Sequence, residues 1–133
     1  MPEWRSGVEI EAIHNERMPK ALGPYSHLVR AGDLYFVSGQ AGIDPETGDV
    51  PAGDFEVEAR MAFANLRSVL EAAGLGLDRV VKTTMYLTSA DDFPAMNALF
   101  AEYFPTAPPT RATPIVALPR SLRISIEAVA ARQ

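Results

Sequence analysis

Asp54 to Gly74 reads DFEVEARMAFANLRSVLEAAG, and this stretch decides the fold. Its apolar residues Ala59, Ala62, Phe63, Leu66, Val69, Leu70 and Ala73 recur at steps of three and four. That spacing predicts one continuous stripe on a helix of about Asp54 to Ala73. Asp54 suits the N-cap, Glu56 and Glu58 suit the positive end of the helix dipole, and Gly74 suits the stop. The stripe is core, and it needs a sheet to cover.

The flanking sequence supplies that sheet. Val8 to Ile13 largely alternates apolar and charged residues and predicts an opening strand. Leu34-Tyr35-Phe36-Val37-Ser38, bounded by Gly32-Asp33 and Gly39, predicts a second. Pro45-Glu46-Thr47-Gly48 has turn chemistry. Val80 to Leu87, rich in Val and Thr, predicts a third strand. A second helix is expected from about Asp92 to Phe104, with Pro94 in its first turn and Phe93, Met96, Phe100 and Tyr103 on its buried face. Beyond the loop Phe104 to Thr110, strands are expected at about Ile115 to Leu118 and Leu122 to Ala131, hinged at Pro119-Arg120-Ser121.

The predicted class is therefore α+β, a mixed sheet with both helices on one face. The other face carries Val80, Lys82, Thr84 and Tyr86, or the alternate set, and neither set is wholly polar. A half-apolar face left open in a short chain predicts burial against further copies of itself.

A chain of 133 residues holds one domain, taken as 1–133 with an N-terminal extension over 1–8. It has no cysteine, which excludes disulfides, thiol nucleophiles and thiolate metal sites. His14 and His27 fall in no ligand spacing, so no metal is expected. The net charge of −5 opposes attraction to nucleic acid and to anionic lipid. No apolar run reaches membrane-spanning length. Met1 to Arg17 is charged throughout and lacks an apolar signal core, so a cytoplasmic location is expected.

Candidate chemistry centres on Arg111, which ends an apolar, proline-rich loop. A guanidinium matches a carboxylate bidentately and stays charged at any relevant pH. On spacing alone a surface arginine, or an ion pair with one of the many acidic residues, is the commoner reading. Gly23-Pro24-Tyr25-Ser26 presents Tyr25 beside Ser26, or is simply a turn. At Ser38-Gly39-Gln40 a glycine ends a strand, which lets backbone approach a ligand, or marks a bulge. A lone His27 beside a turn is more often structural than a base.

Eight ordered stretches resemble the Rid family, also called the YjgF family, of enamine/imine deaminases. They are Pro19 to Ser26, Phe36 to Gln40, Pro45 to Gly48, Ala72 to Gly74, Val80 to Thr84, Asp91 to Asn97, Pro109 to Arg111, and Ile126 to Ala130. The resemblance runs from about Ile10 onward. It implies a chorismate-mutase-like fold, a homotrimer, and ligand sites in clefts between subunits. It implies hydrolysis of 2-imino acids and their enamines, released by pyridoxal-phosphate enzymes, to 2-oxo acids and ammonia without cofactor or metal. By position, Arg111 resembles the arginine that grips the substrate carboxylate, aided by the backbone N–H of Thr113. Tyr25, Ser38, Gly39 and Asn97 match residues that line or shape the pocket.

The last strand departs from that pattern. Family deaminases commonly carry a Glu-Ile-Glu strand whose first glutamate helps place the attacking water. Here Arg123-Ile124-Ser125-Ile126-Glu127 puts Ser125 in the cleft position and Glu127 in a second, less direct place on the same face. The segment between Arg111 and Leu118 is also one residue shorter than in many deaminases. A slower deaminase, a deaminase with a differently placed water or a different imine, and a non-catalytic trimeric binder of small carboxylates all fit these residues.

Overall fold

The structure, a computed structural model, describes residues 7–16 and 18–133; most of the expected extension over 1–8 lies outside the described residues. The chain runs β1 (Ile10–Ile13), β2 (Leu28–Ala31), β3 (Leu34–Ala41), α1 (Phe55–Glu71), β4 (Val80–Leu87), α2 (Phe93–Tyr103), β5 (Thr110–Ala112) and β6 (Ile124–Ala131). One six-stranded sheet has the order β1-β2-β3-β6-β4-β5, parallel only between β4 and β5. The α+β class and the mixed sheet with two helices agree with the sequence reading.

The long helix forms as its spacing predicts. The Asp54 carboxylate accepts from the Val57 N–H at 3.2 Å, and the chain leaves the helix at Gly74 with φ +72°. Ala59, Ala62, Phe63, Leu66, Val69 and Leu70 are fully buried against Met85, Ile124 and Ile126 of the sheet. Met96, Leu99 and Phe100 of α2 join the same core, so both helices cover one face. Each large apolar side chain buried there contributes roughly 1.5–3 kcal/mol. Phe93, expected in that face, is 40% exposed instead, and Tyr103 is half-buried, stacked on Phe63 at 4.3 Å.

Glu58 is not a solvated dipole partner but is 1% exposed. Its carboxylate accepts the Arg123 backbone N–H and the Arg123 Nε–H, each at 2.7 Å. This pair ties the first turn of α1 to the entry of β6. Gly42 packs so tightly there that a β-carbon would lie 2.2 Å from the Glu58 carbonyl oxygen.

Three strand readings need correction. Leu28–Ala31 is a strand that the sequence reading passed over; Gly32 (φ +61°) and Asp33 form a two-residue connection that pairs it with β3. Ile115 to Leu118 is not a strand. Ile115 makes only an isolated bridge to Leu87 and is 50% exposed, because Pro114 interrupts the pairing. The edge strand is Thr110–Ala112, so Arg111 lies within a strand rather than before one.

Residues of β6 alternate as expected: Ile124, Ile126, Ala128 and Ala130 are buried under the helices, while Ser125, Glu127 and Val129 are half-buried on the open face. Phe36, 45% exposed, pairs there with Val29 on one side and Val129 on the other. The uncovered face is thus half apolar, as the strand patterns require.

Candidate active site

Parallel pairing with β4 sets the position of Arg111, opposite the buried Thr83. Thr83 Oγ1 donates to the Thr110 carbonyl at 2.8 Å, and Thr110 Oγ1 donates to the Val81 carbonyl at 3.3 Å. Arg111 therefore lies at the sheet edge, on the helix side. Its guanidinium carbon sits 4.8 Å from the Phe100 ring centre and 5.4 Å from that of Phe93. Both are cation–π distances. Arg111 Nη1 donates to Asn97 Oδ1 at 2.9 Å.

No carboxylate among the described residues pairs with Arg111. A bland ion pair thus does not account for it. A guanidinium has five donors; Nη1 engages Asn97 and also lies 4.0 Å from Met96 Sδ. The rest of the fork borders an open cavity of about 480 Å³ with Asn97, Phe100, Phe104 and Pro109. Asn97 orients the guanidinium, and the two rings shield it. Thr113 follows two residues on and is half-buried.

A second group gathers around Gly39, at the irregularity where pairing of β3 with β6 shifts register between Val37 and Gln40. Ser125, at the start of β6, is flanked by Ala41 and by Tyr86. A β-carbon at Gly39 would lie 2.6 Å from Ser125 Oγ, so a side chain at 39 would push the Ser125 hydroxyl out of its present position. Ser38 Oγ donates to the Ser26 carbonyl at 2.7 Å and so holds the turn before β2. The Tyr25 hydroxyl accepts the Leu22 N–H at 3.2 Å. Tyr25, Gly39, Leu22, Pro19 and Ile43 border a mostly apolar cavity of about 220 Å³.

His27 forms part of that wall as a structural residue. Gln40 Nε2 donates to the Ser38 carbonyl at 2.9 Å and lies 3.0 Å from His27 Nδ1. Since the amide nitrogen is the donor, Nδ1 accepts and Nε2 carries the ring proton. Nε2 is buried with no hydrogen-bond partner among the described residues.

Glu127 lies on the open face and lines a concavity of about 350 Å³ with Ser38, Ser26, Lys82 and Phe36. Its Oε1 accepts from the Tyr86 hydroxyl at 2.9 Å. That bond, then burial, holds the Tyr86 phenol protonated beyond its ordinary range. Sequence reading missed Tyr86; its place across from Ser125 follows from strand register, which no local pattern encodes.

The named residues therefore form two groups. Ser125 lies two strands from β5 and about three residues along from Arg111, which puts their α-carbons on the order of 14 Å apart. They also point to opposite faces of the sheet. One copy of the chain does not bring Arg111 and Ser125 to the same ligand. Among the described residues no cluster of His, Asp or Glu is placed to hold a metal ion, and no helix is long and apolar enough to cross a membrane.

Comparison with known proteins adds context to this geometry. Residues 15–132 match the family model described as endoribonuclease L-PSP. A RutC family protein of Pyrococcus horikoshii is 42% identical over 92% of this chain and 98% of its own. The mouse (Mus musculus) 2-iminobutanoate/2-iminopropanoate deaminase is 39% identical over 94% of this chain and 93% of its own. Among solved structures, Escherichia coli TdcF with bound serine superposes with a TM-score of 0.86 at 35% identity, covering 92% of this chain and 99% of that one.

Proposed function

The chain belongs to the Rid/YjgF family, matched by the endoribonuclease L-PSP model, and from that premise we propose that it hydrolyses 2-imino acids and their enamine tautomers. The products are a 2-oxo acid and ammonia. The observation that carries this reading is Arg111: stacked on Phe100, oriented by Asn97 and bound to no carboxylate of the described residues. Such a guanidinium is prepared for a carboxylate from outside, and each charge-assisted bond contributes about 1.5–3 kcal/mol. The deaminase activity in the mouse relative's name supports the reaction class. The serine bound to TdcF, itself a small amino acid with a carboxylate, supports the ligand class.

The two groups of residues meet when copies associate. In this reading three copies form a ring in which the Arg111 edge of one faces the Gly39–Ser125 region of the next. Head-to-tail contacts that close give every copy one complete cleft. Arg111 and the Thr113 N–H hold the carboxylate, Tyr25 and its apolar neighbours take the side chain, and the imine carbon faces Ser125. A protonated iminium is already electrophilic, so orientation and a placed water are the protein's main contribution. No cofactor or metal enters this scheme, and the substrates are those released by pyridoxal-phosphate enzymes.

The test is a coupled assay in which a dehydratase generates 2-iminobutanoate or 2-iminopropanoate in situ. Purified protein should accelerate its decay, and Arg111→Ala should abolish the effect; equal decay with both proteins rejects the reading. Ser125 favours a second reading, since a serine hydroxyl is no base at neutral pH. In that reading the trimer binds 2-oxo acids without turnover, and calorimetry would give saturable heat with 2-oxobutanoate while the coupled assay stayed at background. An RNA substrate, despite the family model's description, is opposed by the net charge of −5.

A further inference from the structure

We propose that Glu127, held by Tyr86, is the proton acceptor for the attacking water. The proposal rests on the deaminase reading above and deepens it. Three observations carry it. Ser125 and Glu127 are alternate residues of β6 on the same open face, with α-carbons about 6.5–7 Å apart. Tyr86 stands directly across from Ser125 on β4, while Glu127 stands across from Thr84. The Tyr86 side chain thus reaches diagonally, and its hydroxyl donates to Glu127 Oε1 at 2.9 Å.

That diagonal bond has a directional consequence. A free glutamate side chain samples many rotamers, whereas one accepting from a fixed phenol is held over the space between β4 and β6. No other donor among the described residues binds the Glu127 carboxylate, so its second oxygen keeps its acceptor capacity. In the proposed site a water bonded to Ser125 Oγ donates a hydrogen to that second oxygen. Lys82 lines the same concavity but donates to Thr84 Oγ1 at 3.4 Å rather than pairing with Glu127.

In the first step the water oxygen bonds to the iminium carbon, the C=N π pair moves to nitrogen, and the water's proton passes to Glu127. The neutral carbinolamine then takes that proton back on nitrogen. A hydroxyl lone pair forms the C=O bond, the C–N bond breaks, and the hydroxyl proton leaves with ammonia as ammonium. Iminium plus water gives 2-oxo acid plus ammonium, and Glu127 ends as it began. Glu127 touches the reacting water; Tyr86 is a positioning residue.

The experiment uses the full-length protein in the coupled imine assay, with 2-oxobutanoate calorimetry as a separate measure of the Arg111 site. Glu127→Gln should lower kcat by about 10²–10⁴ with KM within about twofold, the loss typical of a removed acid or base. Tyr86→Phe should lower kcat about tenfold with 2-oxobutanoate binding unchanged. Ser125→Glu placed in the Glu127→Gln protein should restore most of the lost kcat, which a purely structural β4–β6 tie would not allow. Wild-type kcat in Glu127→Gln overturns the proposal and leaves the deaminase reading standing. So does a fall in kcat matched by an equal loss of 2-oxobutanoate binding. Wild-type protein without turnover overturns both.

Discussion

Gly39 and Ser125 occupy neighbouring positions of β3 and β6 with no space between them: a β-carbon on Gly39 would meet Ser125 Oγ at 2.6 Å. The atom in the way is the end of a small side chain, so it can yield, at the expense of its rotamer. Gly39→Ala is expected to cost about 0.5–1.5 kcal/mol, the range for a displaced χ angle. Gly39→Ala with Ser125→Ala should recover most of that loss in urea unfolding, since the clash disappears. Additive losses in the double variant would show that the two residues do not compete for space.

Arg111 and Asn97 make the second testable pair. Lysine keeps the charge but loses the planar fork and its packing over Phe100. Arg111→Lys should therefore weaken 2-oxobutanoate binding at least about tenfold, the equivalent of one charge-assisted bond. Titration calorimetry reads this directly. Affinity equal to wild type would mean that only the charge matters.

Glu58 predicts a stability effect far from the cleft. Its buried carboxylate accepts two donors of Arg123, and those lose their acceptor if it goes. Because Arg123 is 35% exposed and can partly rehydrate, Glu58→Leu should cost about 2–4 kcal/mol rather than the most that a broken buried pair can cost. Chemical denaturation at pH 7 measures it, and a change below about 1 kcal/mol would contradict the role assigned to this pair.

Asp92 offers a pH test. It stands at the N-cap of α2 without making a side-chain capping bond. Burial, with Asp91 and Glu58 adding repulsion and Arg123 opposing, raises its carboxyl above the ordinary range. A raised carboxyl contributes stability that is present below its unfolded value, about 3.9, and lost as pH rises through the folded one. Asp92→Asn should thus melt higher than wild type at pH 7, with the difference vanishing below about pH 4. A lower melting temperature at pH 7 would reverse the sign of the argument.

Phe36 tests the assembly. It is exposed on the open face between Val29 and Val129. Phe36→Lys should convert the proposed trimer to monomer in sedimentation velocity and abolish the proposed turnover while Arg111 stays in place. An unchanged sedimentation coefficient would place the contact between copies elsewhere.

The sequence by itself determined whatever is carried by local periodicity. The three- and four-residue spacing of Ala59 to Leu70 specified α1 and its buried face. Alternation along Ile124 to Glu127 placed Ser125 and Glu127 together, because side chains of a strand must point to opposite faces in turn. Ordered motifs also marked Arg111, although its spacing alone did not separate an anchor from an ion pair. Only the tertiary structure decided the rest, since those contacts join residues far apart in the chain. Arg111 is set by Asn97 and Phe100 across a helix; Glu58 meets Arg123 from 65 positions away; Tyr86 reaches Glu127 from 41. Strand register and helix packing create these pairs, and neither leaves a periodic trace in the sequence around them.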